Sequence, residues 1–338
     1  MKRLDITRPS HGTVTALAQD LYWARFDLPF RLNHINLYMI DTKEGWVLVD
    51  AGIQSEETSR QWQALLAGPL AHQKVAKIII THHHVDHIGF AGRLQEMTGA
   101  DVYMSQPEYE KAHWLFDYGD EDFSDLIAEV YGRYGLASSH IELARSDKGR
   151  FTRYVAPLPQ VQFLKAGDSI KSTHGTWEVR IDQGHSTAHI GLMDKERQLY
   201  ICVDFLLPRI SPNVSVDLRD IDKDMLGAYL AYLKGVSSLE ARWQVFPGHD
   251  WPYQGAGTRA RQLIEHHHER LQLLREAARQ NPISVADAMG VLFGKEYEAH
   301  ELYFASGEAR AHLNHLRALG DMVQMPKEGV DYFALSHP

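Results

Sequence analysis

One short run of side chains, His82-x-His84-x-Asp86-His87, has the residue types and spacing of a metal site. It follows a mostly apolar strand predicted at 77–80 and leads into a predicted helix. Because side chains two residues apart in an extended chain point the same way, His82 and His84 can bind one ion. Asp86 and His87, at the turn into the helix, project toward a neighbouring ion. Imidazole and carboxylate are ligands that zinc, iron and manganese accept. A loop that is histidine-rich by chance is a poor explanation of this run, because burying imidazoles without hydrogen-bond partners costs free energy.

Further metal-competent residues follow other predicted strands, which matters because four side chains are too few for two ions. His185, Asp204 and His249 each stand at or just past the end of an apolar run. A lone histidine in such a position is more often structural than a ligand. The shared placement of the three residues at strand ends indicates one common site.

The elements that must position these residues are short strands with apolar runs or period-two alternation. We predict strands over residues 14–26, 36–40, 45–50, 77–80, 101–104, 161–163, 177–181, 190–193, 199–204 and 243–246. Helical periodicity and capping signals predict helices over residues 55–70 (with Ser55 as N-cap), 88–97, 220–239, 259–280, 284–293 and 305–319.

Two features of the chain suggest how it is organised. Residues 106–155 interrupt the strands with an aromatic-rich helical insertion, which is either a packing layer or a cap over a substrate pocket. After about residue 256 only helical periodicity is strong. We therefore predict a catalytic domain over 1–255 and a small helical domain over 256–338.

The composition excludes several classes of protein. Of the 338 residues, 44% are hydrophobic and 23% charged, which is typical of a folded chain. The formal net charge of −9 argues against nucleic acid or an anionic membrane as a general partner, although a local basic patch stays open. The single cysteine, Cys202, allows no intramolecular disulfide. We see neither a secretory signal nor a membrane span, so we expect a cytoplasmic protein with a small-molecule substrate; a homodimer stays open.

The sequence resembles the metallo-β-lactamase superfamily, in its glyoxalase II-like hydrolase branch. The matching motifs, within residues 14–255, are Val49-Asp50-Ala51-Gly52, Thr81-His82-His83-His84-Val85-Asp86-His87, Gly184-His185-Ser186, Val203-Asp204 and Pro247-Gly248-His249. The resemblance implies an α/β fold, a four-layer αββα sandwich with metals at one edge. Residues from about 262 also resemble the winged-helix module of some members. Ala51 replaces a common Thr, and Val203 stands where Gly often precedes the aspartate; neither departure removes a ligand.

The resemblance also implies which residues hold the ions. It places one ion on His82, His84 and His185, the other on Asp86, His87 and His249, and makes Asp204 the bridge. We expect two divalent ions per chain, with zinc as the first expectation and iron or manganese as alternatives.

Three neighbouring residues are expected to support the ligands. Metal-bound imidazoles usually donate their other N–H to a carboxylate, a carbonyl or water, and Asp50 suits that role. Thr81 and His189 are expected to support the ligands in the same way, although His189 is equally well explained as a buried structural histidine. His83 is expected to point away from the ions.

Two residues after Asp204 are candidate substrate contacts, namely Arg209 and Asn213. Arg209 suits a substrate carboxylate or phosphate, and a surface salt bridge is its alternative. The histidines at 266–268 are expected on a solvated helix face or an interface rather than around a third metal.

These residues suggest a dinuclear-metal hydrolase. Two ions about 3.5–4 Å apart can share a water and lower its pKa toward neutral. The hypothesis is that a metal-bridging hydroxide attacks an ester, thioester or lactone carbonyl, with Asp86 and Asp204 as catalytic residues.

Three alternatives remain open. A metal-dependent endoribonuclease or phosphodiesterase would use the same metal pair, but the net charge argues against it. A mononuclear iron dioxygenase of the same fold keeps much of the motif, whereas flavodiiron-type sites put Glu where His84 stands. A non-catalytic binding module is disfavoured because all seven ligand positions are filled.

Overall fold

The computed structural model describes residues 1–117, 120–146, 152–155, 157–294 and 297–336. Tyr118 and residues 147–151 of the predicted insertion lie outside the described residues. In the described part of the chain, no helix combines the length and the apolar character that crossing a membrane requires.

Strands are numbered along the chain. The first eight are β1 (Lys2–Arg3), β2 (Thr15–Ala18), β3 (Leu21–Asp27), β4 (His34–Thr42), β5 (Gly45–Val49), β6 (Val75–Ile79), β7 (Asp101–Met104) and β8 (Val161–Phe163). The others are β9 (Ser169–Lys171), β10 (Thr176–Asp182), β11 (His189–Asp194), β12 (Leu199–Val203), β13 (Gln244–Pro247), β14 (Tyr253–Gln254), β15 (Ile283–Ser284), β16 (Met322–Lys327) and β17 (Val330–Leu335).

Helices are numbered in the same way. They are α1 (Glu56–Ala67), α2 (Val85–Ile88), α3 (Ala91–Thr98), α4 (Gln106–Asp117), α5 (Asp120–Arg133), α6 (Ser138–Ser146), α7 (Met225–Val236), α8 (Ala256–Ala277), α9 (Val285–Phe293) and α10 (Ala299–Ala318).

Two seven-stranded sheets form the centre of the molecule. The first has the order β2-β3-β4-β5-β6-β7-β8, and the second has the order β1-β14-β13-β12-β11-β10-β9. Strands β5 to β8 run parallel to one another, and β12 runs parallel to β13. The remaining neighbours in both sheets are antiparallel.

Alternating side chains explain why the central strands read as continuous apolar runs. In β4, Leu37 and Met39 point to the helical side of the first sheet. Tyr38 and Ile40 point to the second sheet, where they pack against residues such as Ile201. Since successive side chains of a strand face opposite sides, a strand buried on both faces has no polar side.

Helices cover the outer face of each sheet, which gives four layers. Trp62 and Leu65 of α1 pack on the first sheet together with Leu94 of α3. Leu226 of α7 and Leu263 of α8 belong to the cluster on the outer face of the second sheet. The predicted αββα sandwich is confirmed.

One edge of this sandwich collects the ends of strands from both sheets. The parallel pairs β5–β6 and β12–β13 bring their carboxyl ends there. Backbone hydrogen bonds join the sheets at this edge, from Asn36 N–H to the Gly248 carbonyl (2.7 Å) and from Ile190 N–H to the Thr81 carbonyl (2.9 Å). Residues that follow these strands are therefore close together.

The segment after residue 255 is mainly helical, as predicted, but it also contains a sheet with the order β15-β17-β16. Strand β16 gives little period-two signal in the sequence because apolar residues also stand on its exposed side, where Val323 and Met325 are 46% and 49% exposed. The fully buried Arg310 of α10 connects this sheet to the part of the chain before residue 256, since its guanidinium donates to Asp331 Oδ2 (3.0 Å) and to the Ile221 carbonyl (3.1 Å).

Most of the other predicted elements match the structure. Ser55 is the N-cap of α1, and its side chain accepts from the Thr58 N–H at 3.0 Å. The helix predicted at 220–239 is shorter, because Asp224 caps α7 and accepts from the Gly227 N–H at 2.8 Å. The two-residue strands β1 and β14 are too short to give a periodic signal.

The interior between the sheets should control stability. Ile201→Ala removes a fully buried side chain and should lower the free energy of unfolding by about 2–5 kcal/mol. Leu273→Ala, at a position that is 52% exposed, should change it by less than about 0.5 kcal/mol. Urea unfolding followed by circular dichroism measures both. Equal effects of the two substitutions would contradict the layer assignment.

Candidate metal centre

The seven predicted ligand residues converge in two groups at the edge described above. Within each group the potential donor atoms all lie within 4.8 Å of one another. The first group is His82, His84, His185 and Asp204, and the second is Asp86, His87 and His249. Each group combines residues that follow β6 of the first sheet with residues that follow strands of the second: His82 and His84 lie in the β6–α2 connection, and Asp86 and His87 lie in α2 itself.

Asp204 lies between the two groups. Its Oδ2 atom is 3.5 Å from Nε2 of His185 and 3.4 Å from Nε2 of both His87 and His249. Asp86 Oδ2 lies 3.4 Å from His249 Nε2. The geometry therefore gives Asp204 access to both groups, as a bridging carboxylate requires.

The backbone around Asp204 is unusual. Val203, the last residue of β12, has a φ of 44°, which is rare for a β-branched residue and is typical of strained functional sites. Directly after the neighbouring strand β13, a Cβ at Gly248 would lie 2.2 Å from Asp204 Oδ1 and 3.0 Å from Val203 Cγ1. Glycine is therefore required for this approach.

Four of the five imidazoles are fixed through their outer nitrogen, Nδ1. The partners are the Thr81 hydroxyl for His82 (3.0 Å), Asp50 Oδ2 for His87 (2.8 Å), the Asn213 carbonyl for His185 (2.8 Å) and the His34 carbonyl for His249 (2.7 Å). We assign a proton to Nδ1 of each ring because these partners accept, so Nε2 faces the centre and is the atom that each ring offers to a cation. His84 is reversed, with Nδ1 facing the centre at 2.9 Å from His82 Nε2 and 3.1 Å from His185 Nε2.

Asp50 orients one histidine of each group. It follows β5 with a φ of 65° and is 1% exposed. Its carboxylate accepts from the Thr81 N–H (2.8 Å), from the Thr81 hydroxyl (2.9 and 3.0 Å) and from His87 Nδ1. Since the Thr81 hydroxyl donates to Asp50, it must accept from His82.

The donor set fits a cation. A single hydrogen on His84 Nδ1 can satisfy only one of its two short contacts with imidazole nitrogens. His87 Nε2 and Asp204 Oδ1 are buried and have no hydrogen-bond partner among the described residues. Divalent cations such as zinc accept this combination of imidazole and carboxylate.

The pKa values reflect the same arrangement. Burial, reinforced by the neighbouring imidazoles, holds the pKa values of His82 and His84 well below the usual range. Burial also opposes the charged form of His249, but the carboxylates of Asp204 and Asp86 outweigh it and raise the pKa of His249 to about 10. A proton on His249 therefore balances the carboxylates in the cation-free protein, and a cation must displace it.

Glu108, in the predicted insertion, connects two parts of the site and was not predicted. This fully buried residue of α4 accepts from His83 N–H (3.0 Å) and His83 Nδ1 (2.6 Å) through Oε2, and from the Ala188 N–H (2.6 Å) through Oε1. His83 thus pairs with Glu108. No spacing in the sequence links residue 108 to these partners.

His34 was also missed, because it acts mainly through its backbone. Its carbonyl accepts from His249, and its Nε2 accepts from the Asp250 N–H at 2.7 Å. Burial, together with Arg25, lowers the pKa of His34 to about 3, so the ring stays neutral as this contact requires.

The other three predicted residues, His189, Arg209 and Asn213, each have a different environment. His189 is buried and packs its ring against that of His82, with centroids 4.8 Å apart. The 63% exposed Arg209 side chain lies 3.6 Å from Asp250 Oδ1, which corresponds to the salt-bridge alternative. Asn213 offers its carbonyl to His185, and its amide donates to Glu308 Oε2 at 2.9 Å.

The histidine run on α8 divides between surface and interior. His268 is exposed, as predicted. His267 is fully buried, and its Nδ1 lies 3.2 Å from Nε2 of the buried His312 of α10, so the prediction of a solvated face is wrong for this residue. Consecutive helix positions point in different directions, which places one residue of the run against α10.

The chain belongs to the metallo-β-lactamase superfamily. Residues 31–276 match the family described as Metallo-beta-lactamase superfamily, and residues 271–336 match the family described as Metallo-beta-lactamase-like, C-terminal domain. The predicted superfamily is thereby confirmed, and the chain is a metallo-hydrolase. The glyoxalase II-like branch and the winged-helix character of the tail stay predictions.

Three known proteins illustrate what this chain is similar to. The crystal structure of a Beta-lactamase domain protein from Burkholderia ambifaria is 32% identical, covers 97% of this chain and 96% of its own, and has a TM-score of 0.88. The Probable metallo-hydrolase YqjP of Bacillus subtilis is 23% identical over 305 residues, or 89% of this chain and 93% of its own. Hydroxyacylglutathione hydrolase GloC of Haemophilus influenzae is 23% identical over 166 residues, or 49% of this chain and 63% of its own.

Glu108→Gln should weaken divalent-cation binding. An amide nitrogen cannot accept the hydrogen bonds that Glu108 accepts, so the segment at His83 or the one at Ala188 must shift. Loss of a partner that bonds a ligand directly typically lowers metal affinity about 10- to 100-fold, and we expect a loss near the lower end of that range because Glu108 acts on the ligands through the chain at His83 and Ala188. Competition with a chromophoric chelator measures the affinity for zinc. Glu110→Gln, an exposed change on the same helix, is the control, and equal affinities of the two variants would refute the assigned role.

The affinity of the cation-free protein for zinc should increase with pH. Because the pKa of His249 is about 10, its proton is present throughout the neutral range and must leave when a cation binds. Affinity should therefore rise about tenfold per pH unit for each proton displaced between about pH 6 and pH 8. Titration calorimetry in buffers of different ionisation enthalpy counts the protons. A pH-independent affinity would contradict this account.

Proposed function

We propose that this chain is a dinuclear-metal hydrolase that cleaves an ester, thioester or lactone bond. The observation that carries the proposal is the position of Asp204 Oδ2, 3.4–3.5 Å from imidazole nitrogens of both groups. A carboxylate oxygen between two sets of donors is suited to binding two cations at once. Zinc is the proposed metal because the donors suit it, and iron and manganese remain the alternatives.

The proposed roles follow the two groups. His82, His84 and His185 would hold one cation, Asp86, His87 and His249 the other, and Asp204 both. Two bound cations would supply a water of lowered pKa and an electrophile that polarises the carbonyl oxygen. Hydrolysis adds the water oxygen to the carbonyl carbon, breaks the bond to the leaving oxygen or sulfur, and transfers one proton to the leaving group.

Asp86 is the proposed carrier of that proton. Its side chain is 16% exposed, compared with 7% for Asp204 and 2% for His249. A carboxylate that reaches both the ligand cluster and solvent can accept a proton from the attacking water and return it to the leaving group.

Two observations support a carbonyl substrate. The relative from Haemophilus influenzae is named for hydrolysis of a hydroxyacylglutathione, which is a thioester. The net charge of −9 disfavours the long phosphate backbone that an endoribonuclease must bind. A small molecule is therefore the proposed substrate.

The division of the chain is proposed on the same basis. Residues 1–255 carry all seven predicted ligands, and residues 256–338 would form the winged-helix-like module. The order α8, β15, α9, α10, β16, β17, with an antiparallel sheet, supports this assignment. The module is proposed to contribute to packing and to the pocket rather than to bind DNA.

His82→Ala should remove both bound metal and turnover while the fold is retained. Loss of one imidazole leaves the first group with two histidines and the shared carboxylate. Metal content by mass spectrometry, circular dichroism, and hydrolysis of a panel of thioesters, lactones and phosphodiesters measure the three properties. His268→Ala, at an exposed position on α8, is the control and should match the unmodified protein.

The same measurements distinguish the alternatives. Two metals per chain together with thioester or lactone turnover would support the proposal. One iron per chain with consumption of dioxygen would replace it with a dioxygenase. Turnover of phosphodiesters alone, with strongly salt-dependent RNA binding, would replace it with a nuclease. Full activity after the metal is stripped would refute all three.

A further inference from the structure

Two arginines lie near the edge of the sandwich that carries the candidate ligands, and neither has a carboxylate partner. Arg25 is half-buried on β3, and Arg8 is exposed in the segment between β1 and β2. Within the part of the chain that the structure describes, neither guanidinium forms a side-chain hydrogen bond or an ion pair. The half-buried Arg197, by contrast, pairs with Asp194 at 2.8 Å. Leaving a half-buried guanidinium without a partner costs free energy.

The pairing of β3 with β4 places Arg25 at this edge. Both of its neighbours on β3 belong to the cluster on the helical side of the first sheet, so its own side chain faces the second sheet. The residue opposite it on β4 is Asn36. The Asn36 amide donates to the carbonyl groups of Pro247 (2.9 Å) and Asp250 (3.1 Å). Arg25 is therefore the cross-strand neighbour of the residue that holds the turn carrying His249.

Arg8 adds a second positive charge at the same place. The backbone beside it is fixed, since the Thr15 hydroxyl donates to the Thr7 carbonyl at 2.9 Å. Burial lowers the pKa of Arg25, and the charge of Arg8 lowers it further. After burial, the charges of both arginines contribute to the low pKa of His34. The two guanidiniums are therefore close to each other and to the His34 ring.

The neighbouring carboxylates do not neutralise the two arginines. Asp27 and Asp250 attract the charge of Arg25, but burial and the repulsion from Arg8 outweigh them, because the pKa of Arg25 stays lowered. The Asp27 side chain is 71% exposed, so water screens its charge. Asp250 is shared with Arg209, whose Nη1 lies 3.6 Å from its Oδ1. A chain of net charge −9 thus has a local excess of positive charge here.

We propose that Arg8 and Arg25 form a binding site for an oxyanion, either a carboxylate or a phosphate. Guanidinium N–H groups bind both kinds of anion through charge-assisted hydrogen bonds, which are often bidentate. The anion supplies the partner that the half-buried Arg25 lacks. It belongs either to a free ion or to an anionic group of the substrate, since both present the same oxygen atoms. The inference does not depend on the hydrolase proposed above.

The first test measures the binding of inorganic phosphate to the zinc-loaded full chain. NMR follows the Nε–Hε signals of isotope-labelled arginine, and sodium chloride keeps the ionic strength constant so that general screening does not change. We expect the signals of Arg8 and Arg25 to shift until they saturate. Arg8→Gln and Arg25→Gln should each weaken binding about tenfold or more, because each removes a hydrogen bond between charged groups.

The matched control is Arg60→Gln, which removes an exposed arginine that is already paired with Glu57 at 2.7 Å. It should bind phosphate like the unmodified protein. Arg25→Lys keeps the charge but not the planar fork, so its affinity should lie between those of the unmodified protein and Arg25→Gln. If circular dichroism shows that Arg25→Gln does not fold, the exposed Arg8→Gln still tests the site. Equal affinity in all forms, or phosphate binding that shifts neither signal, would overturn the proposal.

A second measurement identifies the source of the anion. Succinyl and acetyl thioesters of N-acetylcysteamine share a leaving thiol and differ in a carboxylate. If that carboxylate occupies the site, Arg25→Gln should lower the ratio of kcat/KM for succinyl to that for acetyl about tenfold. An unchanged ratio together with arginine-dependent phosphate binding assigns the site to a free anion. If no thioester is cleaved, the proposed function fails, and the phosphate titration still decides whether the site exists.

Discussion

The buried carboxylate of Asp50 makes four contacts of 2.8–3.0 Å, with the N–H and hydroxyl of Thr81 and with Nδ1 of His87. Through Thr81 it fixes the ring of His82, and it fixes His87 directly. One side chain thus orients an imidazole in each ligand group. The left-handed backbone of Asp50 aims the carboxylate across the parallel pair β5–β6, so the site depends on both the strand pairing and this turn.

The C-terminal segment and the helical insertion both reach the site through side chains that hold its loops. Glu308 of α10 fixes Asn213, whose carbonyl in turn fixes His185. Glu108 of α4 performs the same task for the segments at His83 and Ala188. The sandwich supplies the strand ends, and residues outside it determine where the connecting loops lie.

Much of the fold, and the residues that converge at its edge, could be predicted because both leave local signals. A strand buried on two faces appears in the sequence as an apolar run, and candidate ligands at strand ends stand beside such runs, as His82 and Asp204 do. Residues that act through their backbone, such as His34, leave no signal. Glu108 is equally hidden, because its partners are distant in sequence and its residue type is common on helices. Strands β16 and β17 were missed because neither has a regular apolar side: Val323 and Met325 are exposed on β16, and one of the two buried residues of β17 is the charged Asp331.

Each ligand group contains residues from both sheets: His82 and His84 face His185 and Asp204, and Asp86 and His87 face His249. A cation held by such a group would be a cross-link between the two halves of the sandwich, which also meet through apolar contacts, a few hydrogen bonds and the ion pair between Asp20 and Arg197. Neither half could bind a cation well alone, so binding would favour only the docked state. Stability would then follow the supply of free metal, with a gain of about 2.7 kcal/mol for one site at a concentration a hundred times Kd.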